Sequence, residues 1–270
     1  MNEGIEMDLR LTFNEDAANY DRFRPTYTDE LFDDIIRFSS LSRNKRALEI
    51  GIGTGQATLP FLKTGCKVTA VEIGDKLAQY SRDKFAEFKA FEVINQDFES
   101  IELCENTYDL VYSASAFHWI PQEIGLPKVY GLLKSGGVFA WFSIQPFPAQ
   151  EHMHIHEALQ KIYGTYKQFF GDKPVPGPLE SQQIIEKKSL TRFNALRQYG
   201  FIDVTEKFYY GTRTFDAKDY TTLISTYSDH KAIPEEIRIP FLNEIADTID
   251  RCGGKFTLSD TMLLCMGRKP

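Results

Sequence analysis

The stretch Glu49-Ile50-Gly51-Ile52-Gly53-Thr54-Gly55-Gln56-Ala57-Thr58 decides the fold. Before it, Lys45 to Ile50 is short and apolar and reads as a strand. After it, Gln56 to Lys63 reads as a helix, with Gly65 as its C-terminal stop. Three glycines therefore fall at a strand-to-helix turn, where the chain must bend tightly and let a ligand touch the backbone. A purely structural glycine-rich turn is the alternative. A dinucleotide fingerprint is GxGxxG, with its third glycine in the first helical turn. Here the pattern is Gly51-x-Gly53-x-Gly55, and Gln56 stands where that fingerprint needs glycine. Glu49 just before the turn would repel a pyrophosphate but suits a cationic ligand.

Working outward, Lys67 to Glu72, Phe91 to Asn95, Tyr108 to Ser113 and Val138 to Ile144 read as further strands. Helical patterns lie between them, from Asp75 to about Lys89 and from Pro121 to Leu133. Upstream, Asp16 to Phe23 reads as a short helix stopped by Pro25. Thr28 is placed to cap a helix over Asp29 to Ser39, with Leu31, Phe32, Ile35 and Ile36 as its apolar stripe. Such alternation predicts parallel βαβ units in a doubly wound sheet, with ligands at the carboxyl ends of the strands. Glu72 ends the second strand, where an acid can accept both hydroxyls of a ribose. That acid alone fits NAD equally well, and a solvated strand-end carboxylate is its bland reading.

The alternation breaks after Gln145-Pro146-Phe147-Pro148. Leu190 to Tyr199, Asp219 to Tyr227 and Glu235 to Arg251 read as helices, and Thr205 to Thr214 and Leu258 to Met266 as strands. Residues 145–190 and 215–255 are expected to be helical insertions above the sheet. One domain is expected over residues 1–270, because no composition shift marks a second.

The composition narrows the function. The 270 residues carry 38 acidic and 31 basic side chains, a net charge of −7. This argues against a nucleic-acid binder that works by phosphate neutralisation, although net charge hides local patches. The first residues are polar and acidic, unlike a signal peptide, and Val138 to Phe142 is too short an apolar run to span a bilayer. Cys66, Cys104, Cys252 and Cys265 form no CxxC pair and read as reduced thiols of a cytoplasmic protein.

The ordered set Glu49-x-Gly51-x-Gly53-x-Gly55, Glu72, Asp97-Phe98 and Asp109-Leu110-Val111-Tyr112-Ser113 resembles the class I S-adenosylmethionine-dependent methyltransferases. The resemblance runs from about residue 13 to 143 and implies a seven-stranded, mostly parallel sheet with an antiparallel last strand. Two further segments resemble the small-molecule branch that contains trans-aconitate methyltransferases. They are Phe13-x3-Ala17-x2-Tyr20-x3-Arg24-Pro25-x-Tyr27 and Ala116-Phe117-His118-Trp119.

What the resemblance implies is S-adenosylmethionine as cofactor and methyl transfer to a small molecule, with a carboxylate oxygen among the acceptors. Carried over by position, Tyr20 and Arg24 would meet the cofactor's carboxylate. Glu49, Gly51, Gly53, Gly55, Gln56, Glu72 and Ile73 would line its middle. Asp97 and Phe98 would meet the adenine, and Ser113, Phe117 and His118 the methionine end. Tyr27, Trp119 and Trp141 become candidates for the acceptor, and His118 for a pocket-lining residue or a general base. The bland alternatives are a packed Tyr20, a surface Arg24, a turn Asp97, a core Phe98 and a structural His118. A non-catalytic cofactor-binding module and an RNA methyltransferase remain the rival readings.

Two other features read as structural. His152-Met153-His154-Ile155-His156 invites a metal, but flanking Glu151 and Glu157 favour a solvated helix face. Lys187-Lys188 reads as ordinary surface charge. No metal site is expected. The sequence leaves open whether Arg192, Arg213 or Arg238 reaches the site.

Overall fold

The computed structural model describes residues 21–171 and 177–270. The expected helix over residues 16–23, and with it Phe13, Ala17 and Tyr20, lies largely or wholly outside the described residues. Seven strands form one sheet: β1 (Arg46–Ile50), β2 (Lys67–Glu72), β3 (Phe91–Asn95), β4 (Tyr108–Ala114), β5 (Leu133–Pro148), β6 (Ile202–Asp216) and β7 (Lys255–Arg268). Their order is β3-β2-β1-β4-β5-β7-β6. The first five are parallel, and β7 runs antiparallel to both β5 and β6. β1 and β2 are buried along almost their whole length, as strands covered on both faces must be.

The pleat sends alternate residues to opposite layers. Leu48, Ile50 and Val111 pack beneath Leu126 and Val129 of α4 (Gln122–Leu132) and Ile185 and Leu196 of α7 (Pro178–Gln198). Ala47, Leu110 and Tyr112 face the other way, toward Leu31, Phe32 and Ile35 of α1 (Asp29–Ser39) and Phe61 of α2 (Thr58–Lys63). Helix α3 (Asp75–Lys84) packs on β2 and β3, burying Ala78 against Ala70 and Val93. Thr28 does occupy the N-cap position of α1, but its hydroxyl makes no capping bond.

A third apolar cluster builds the upper storey. α5 (Met153–Thr165), α8 (Ala217–Ser225) and α10 (Glu235–Arg251) bury Ile155, Leu159, Leu223, Phe241 and Ile245 against Phe215, Phe256 and Leu258 of β6 and β7. Short α6 (Lys167–Phe170) and α9 (Ser228–Lys231) join them. Two expectations need correction here. Residues 145–148 extend β5 because they pair with residues 258–261 of β7. The helix read from Leu190 begins at Pro178, and because Ile185 as well as Ala195 and Leu196 pack on the sheet cluster, the end of the 145–190 segment covers the sheet rather than forming an insertion above it.

The histidine run is not a solvated face either. His156 is buried, and His152 Nδ1 accepts the Thr257 N–H at 2.8 Å, tying the start of α5 to β7. Among the described residues no group of three or more His, Cys, Asp and Glu side chains is gathered as metal ligands. No described helix is long and apolar enough to cross a membrane.

Candidate active site

The strand order reverses between β1 and β4, so the loops leaving these two strands diverge and open a crevice. A cavity of about 1060 Å³ occupies it. The two loops touch at its floor. A Cβ on Gly51, whose φ is +71°, would lie 2.4 Å from Ala116 Cβ, so only glycine allows the approach. Gly53 and Gln56 also line the cavity, but Gly55 does not. A Cβ on Gly55 would meet the Phe85 ring at 2.3 Å, so the third glycine serves packing beneath α3 instead of ligand approach.

Two carboxylates are buried at this end. Glu72 is 6% exposed and accepts the N–H groups of Gly53 and Gly74, each at 2.9 Å. Its carboxyl is still pushed above the usual range, because burial outweighs those bonds. Glu49 is 1% exposed, and its Oε2 accepts the hydroxyls of Thr58 (2.7 Å) and Tyr112 (2.8 Å). Burial, with a smaller push from Glu72, lifts it to about 7. Near neutrality Glu49 is thus poised between acid and carboxylate, and a neighbouring cation would expel its proton.

The remaining predicted residues divide. Ile73, Asp97 and Phe98 line the cavity beyond β2 and β3. Phe98 is at the same time a core residue, 4% exposed, with the Lys128 ammonium 5.2 Å above its ring. Phe117, His118, Trp119, Tyr27 and Trp141 line the other half, over β4 and β5. Ser113 does not reach the cavity; it is fully buried, and its hydroxyl donates to the Ile50 carbonyl at 2.9 Å, joining β4 to β1. Arg24 lines the cavity and donates to the Thr226 carbonyl at 3.0 Å, with its guanidinium 4.7 Å above the Tyr227 ring. That contact ties the N-terminal segment to the upper storey.

His118 keeps accessible surface inside the cavity, yet protein walls surround it. Burial, then the nearby charges of Arg192 and Lys188, push its pKa down to about 4. The ring is neutral at neutral pH and stacks obliquely on Trp119 at 5.0 Å.

One wall was not legible as a site. Ile184, Lys187, Lys188, Thr191 and Arg192 of α7 all line the cavity. Their spacing is i, i+3, i+4, i+7, i+8, a single helical face. Lys187 and Lys188 are exposed, as read, but they also line the cavity. The open question about three arginines is answered. Arg192 reaches the cavity, Arg213 forms a two-point ion pair with Asp260 (2.5 and 2.8 Å), and Arg238 donates to the Lys231 carbonyl.

The residues present fit a nucleoside ligand with a cationic centre. Carboxylates can accept hydroxyl, amine or ammonium donors, and the glycine loop leaves room at the backbone. Comparison with known proteins agrees. Residues 48–141 match the family model described as "Methyltransferase domain". The chain is 32% identical over 170 residues to a probable S-adenosylmethionine-dependent methyltransferase of Saccharomyces cerevisiae, covering 60% of this chain and 56% of that protein. It is 31% identical over 160 residues to a malonyl-acyl-carrier-protein O-methyltransferase of Acetivibrio thermocellus, covering 57% and 56%. The matches thus span little more than half the length of these relatives. In fold it is similar to a solved structure from Anaeromyxobacter dehalogenans named as a type II methyltransferase. The TM-score is 0.64 and the identity 18%, over 91% of this chain and 98% of that one. With the glycine loop, the two buried acids and the sheet order in place, residues 48–141 match a methyltransferase domain, and the chain is similar over just over half its length to a methyltransferase that depends on S-adenosylmethionine.

Proposed function

We propose that the protein transfers a methyl group to a small-molecule acceptor, with a carboxylate oxygen as the accepting atom. One observation carries this reading. A single cavity of about 1060 Å³ runs from the carboxylate-lined ends of β1–β3 to the wall made by α7. Ligand cavities commonly measure about 300–1,000 Å³. This one has room for the cofactor and a compact second molecule side by side. The relative named for O-methylation of a malonyl carrier supports oxygen as the acceptor atom.

When bound, S-adenosylmethionine supplies a methyl group already activated on a sulfonium. The chain's work is then to hold, orient and keep dry. Glu72 would accept ribose hydroxyls, Asp97 an exocyclic amine, and Glu49 would face positive charge. Arg24, and Tyr20 beyond the described residues, would meet a carboxylate. Tyr27, Trp119 and Trp141 would shape the acceptor's space. A carboxylate acceptor is ionised at neutral pH and needs no base. Neutral His118 then orients rather than removes a proton. The upper-storey helices α5, α6, α8, α9 and α10 act as the roof that excludes water. Holding two reactants in line can lower a barrier by about 7–11 kcal/mol.

Incubation with methyl-labelled cofactor and a panel of small carboxylic acids, each paired with its amide, tests the proposal. Label should enter the acids alone and be released as methanol by mild alkali, as from an ester. Tight cofactor binding with no transfer to any acceptor would favour a regulatory module instead. Transfer to RNA, with salt-sensitive RNA binding, would favour a nucleic-acid substrate.

A further inference from the structure

The cavity has two electrical halves. Its acids Glu49, Glu72, Asp97 and Glu99 stand at or just past the ends of β1, β2 and β3. Arg192 and Lys188 stand on α7, which packs over β5, β7 and β6 at the other side of the sheet. Asp229 also lines the cavity, but its Oδ1 already accepts from the His230 backbone N–H and faces His230 Nδ1 at 2.7 Å.

Arg192 is the unusual member. It is 6% exposed, and among the described residues no carboxylate lies within ion-pair distance of it. Its guanidinium lies 4.6 Å above the Trp141 ring, and Nη2 donates to Ser143 Oγ at 2.9 Å. Nη1 is buried with no hydrogen-bond partner. Lys188 Nζ donates to Gln145 Oε1 at 2.9 Å, a neutral partner. Among the described residues, both cations are therefore oriented by uncharged groups and paired with no carboxylate. A buried cation without a counter-charge is costly, which singles out Arg192; Lys188 is exposed and adds a second positive charge beside it. The ring of Trp141 offsets part of this for Arg192 alone. Burial is the main cause of the lowered pKa values of His118 and Lys188, and the neighbouring charge of Arg192 adds to both.

We propose that this wall is an oxyanion subsite, in which Arg192 and Lys188 hold a carboxylate or phosphate of the acceptor that is not itself methylated. The inference rests on the reading of this cavity as a methyl-transfer site, and it narrows the acceptor to molecules with a second, fixed negative group. A guanidinium fork suits either oxyanion, because both present paired oxygens. An acceptor gripped there would present its other end toward His118 and the ends of β4 and β1.

Both tryptophans of the chain, Trp119 and Trp141, line the cavity, so intrinsic fluorescence reads its occupancy directly. The test titrates the full-length protein with glutarate, glutaramide and inorganic phosphate, with and without saturating S-adenosylhomocysteine. Glutarate or phosphate should quench or shift the emission saturably, and uncharged glutaramide should not. The stronger of the two anions identifies the group. Arg192→Met should weaken anion binding at least tenfold, and Arg192→Lys should recover part of it. Lys188→Gln, at the cavity surface, should weaken it severalfold without threatening the fold. The His118 ring, followed by NMR, should titrate at higher pH once the anion is bound. Equal affinity for glutarate and glutaramide, or unchanged anion affinity in both Arg192→Met and Lys188→Gln, would overturn the subsite. So would a protein that binds S-adenosylhomocysteine but no anion. Failure of the unaltered protein to bind S-adenosylhomocysteine would instead strike the methyl-transfer reading, while the anion titration still decides the subsite.

Discussion

Glu49 and Tyr112 are register partners on the adjacent parallel strands β1 and β4, and the Tyr112 phenol donates to Glu49 Oε2 at 2.8 Å. The bond joins the two strands whose divergence opens the cavity. It holds a fully buried carboxyl at its floor, with Thr58 donating to the same oxygen.

This pair makes stability depend on pH with a defined sign. The Glu49 pKa is raised to about 7 in the folded protein, from 4.5. Its contribution is therefore fully present below pH 4.5 and lost as pH rises through 7. The loss approaches about 3 kcal/mol by pH 8. Urea unfolding of the ligand-free protein and of Glu49→Gln, compared from pH 5 to 8, should show the unaltered protein losing ground to the variant. A difference curve flat in pH would refute this. Cofactor binding at pH 7 should also release part of a proton, measured by calorimetry in buffers of different ionisation heat, and Glu49→Gln should abolish the release.

The glycines of the loop should separate by experiment. Gly51→Ala places a Cβ into Ala116 and forces the β1 and β4 loops apart, which should weaken cofactor binding by at least tenfold. Gly53→Val crowds the cavity floor beside the N–H that holds Glu72, with the same result. Gly55→Ala strikes the Phe85 ring instead and should cost about 1–3 kcal/mol of stability by overpacking. Its residual folded fraction should bind cofactor with near-normal affinity. Calorimetric titration beside thermal unfolding makes the distinction.

With its pKa near 4, His118 contributes no titration between pH 6 and 8. At saturating cofactor, where Glu49 is already ionised, the pH profile of kcat/KM for the acceptor should show no limb from His118 near 6.5. His118→Asn should raise the acceptor KM while leaving kcat within about tenfold. A drop in kcat beyond about a hundredfold would mark a general base and revise the acceptor toward a hydroxyl.

Arg213 and Asp260 brace β6 against β7 beneath the upper storey, with Asp260 3% exposed. Asp260→Asn leaves a partly buried guanidinium without its counter-charge and should cost on the order of 3 kcal/mol. Chemical denaturation measures this. The double variant Arg213→Met/Asp260→Leu should recover much of the loss.

Much of the architecture was legible because its signals are local. Strands β2 and β3 were read at their observed limits, and β1 and β4 to within a residue, because each is a short run closed by polar or turn residues. Spacing alone put the glycine loop and Glu72 together at the first turn, and Gly51, Gly53 and Glu72 do line the cavity there. Ser113 and Gly55 were misassigned because spacing says which residues are near the turn, not which way a side chain points. Ser113 alternates into the sheet, and Gly55 faces Phe85 across a helix packing that no local pattern encodes.

The cationic wall shows the limit most clearly. Lys187, Lys188 and Arg192 share a helical face, and that much is periodicity. Whether such a face meets solvent or a cavity depends on where the helix is laid. The β6–β7 pair sets that position by carrying α7 onto the sheet beside β5, and Trp141 and Ser143 of β5 then meet Arg192. Those partners are about fifty residues away in sequence. The sequence by itself determined the alternating α/β plan, the glycine loop and the acids beside it. The electrical division of the cavity was decided only by tertiary structure, because charge compensation depends on distances through space that chain separation does not encode.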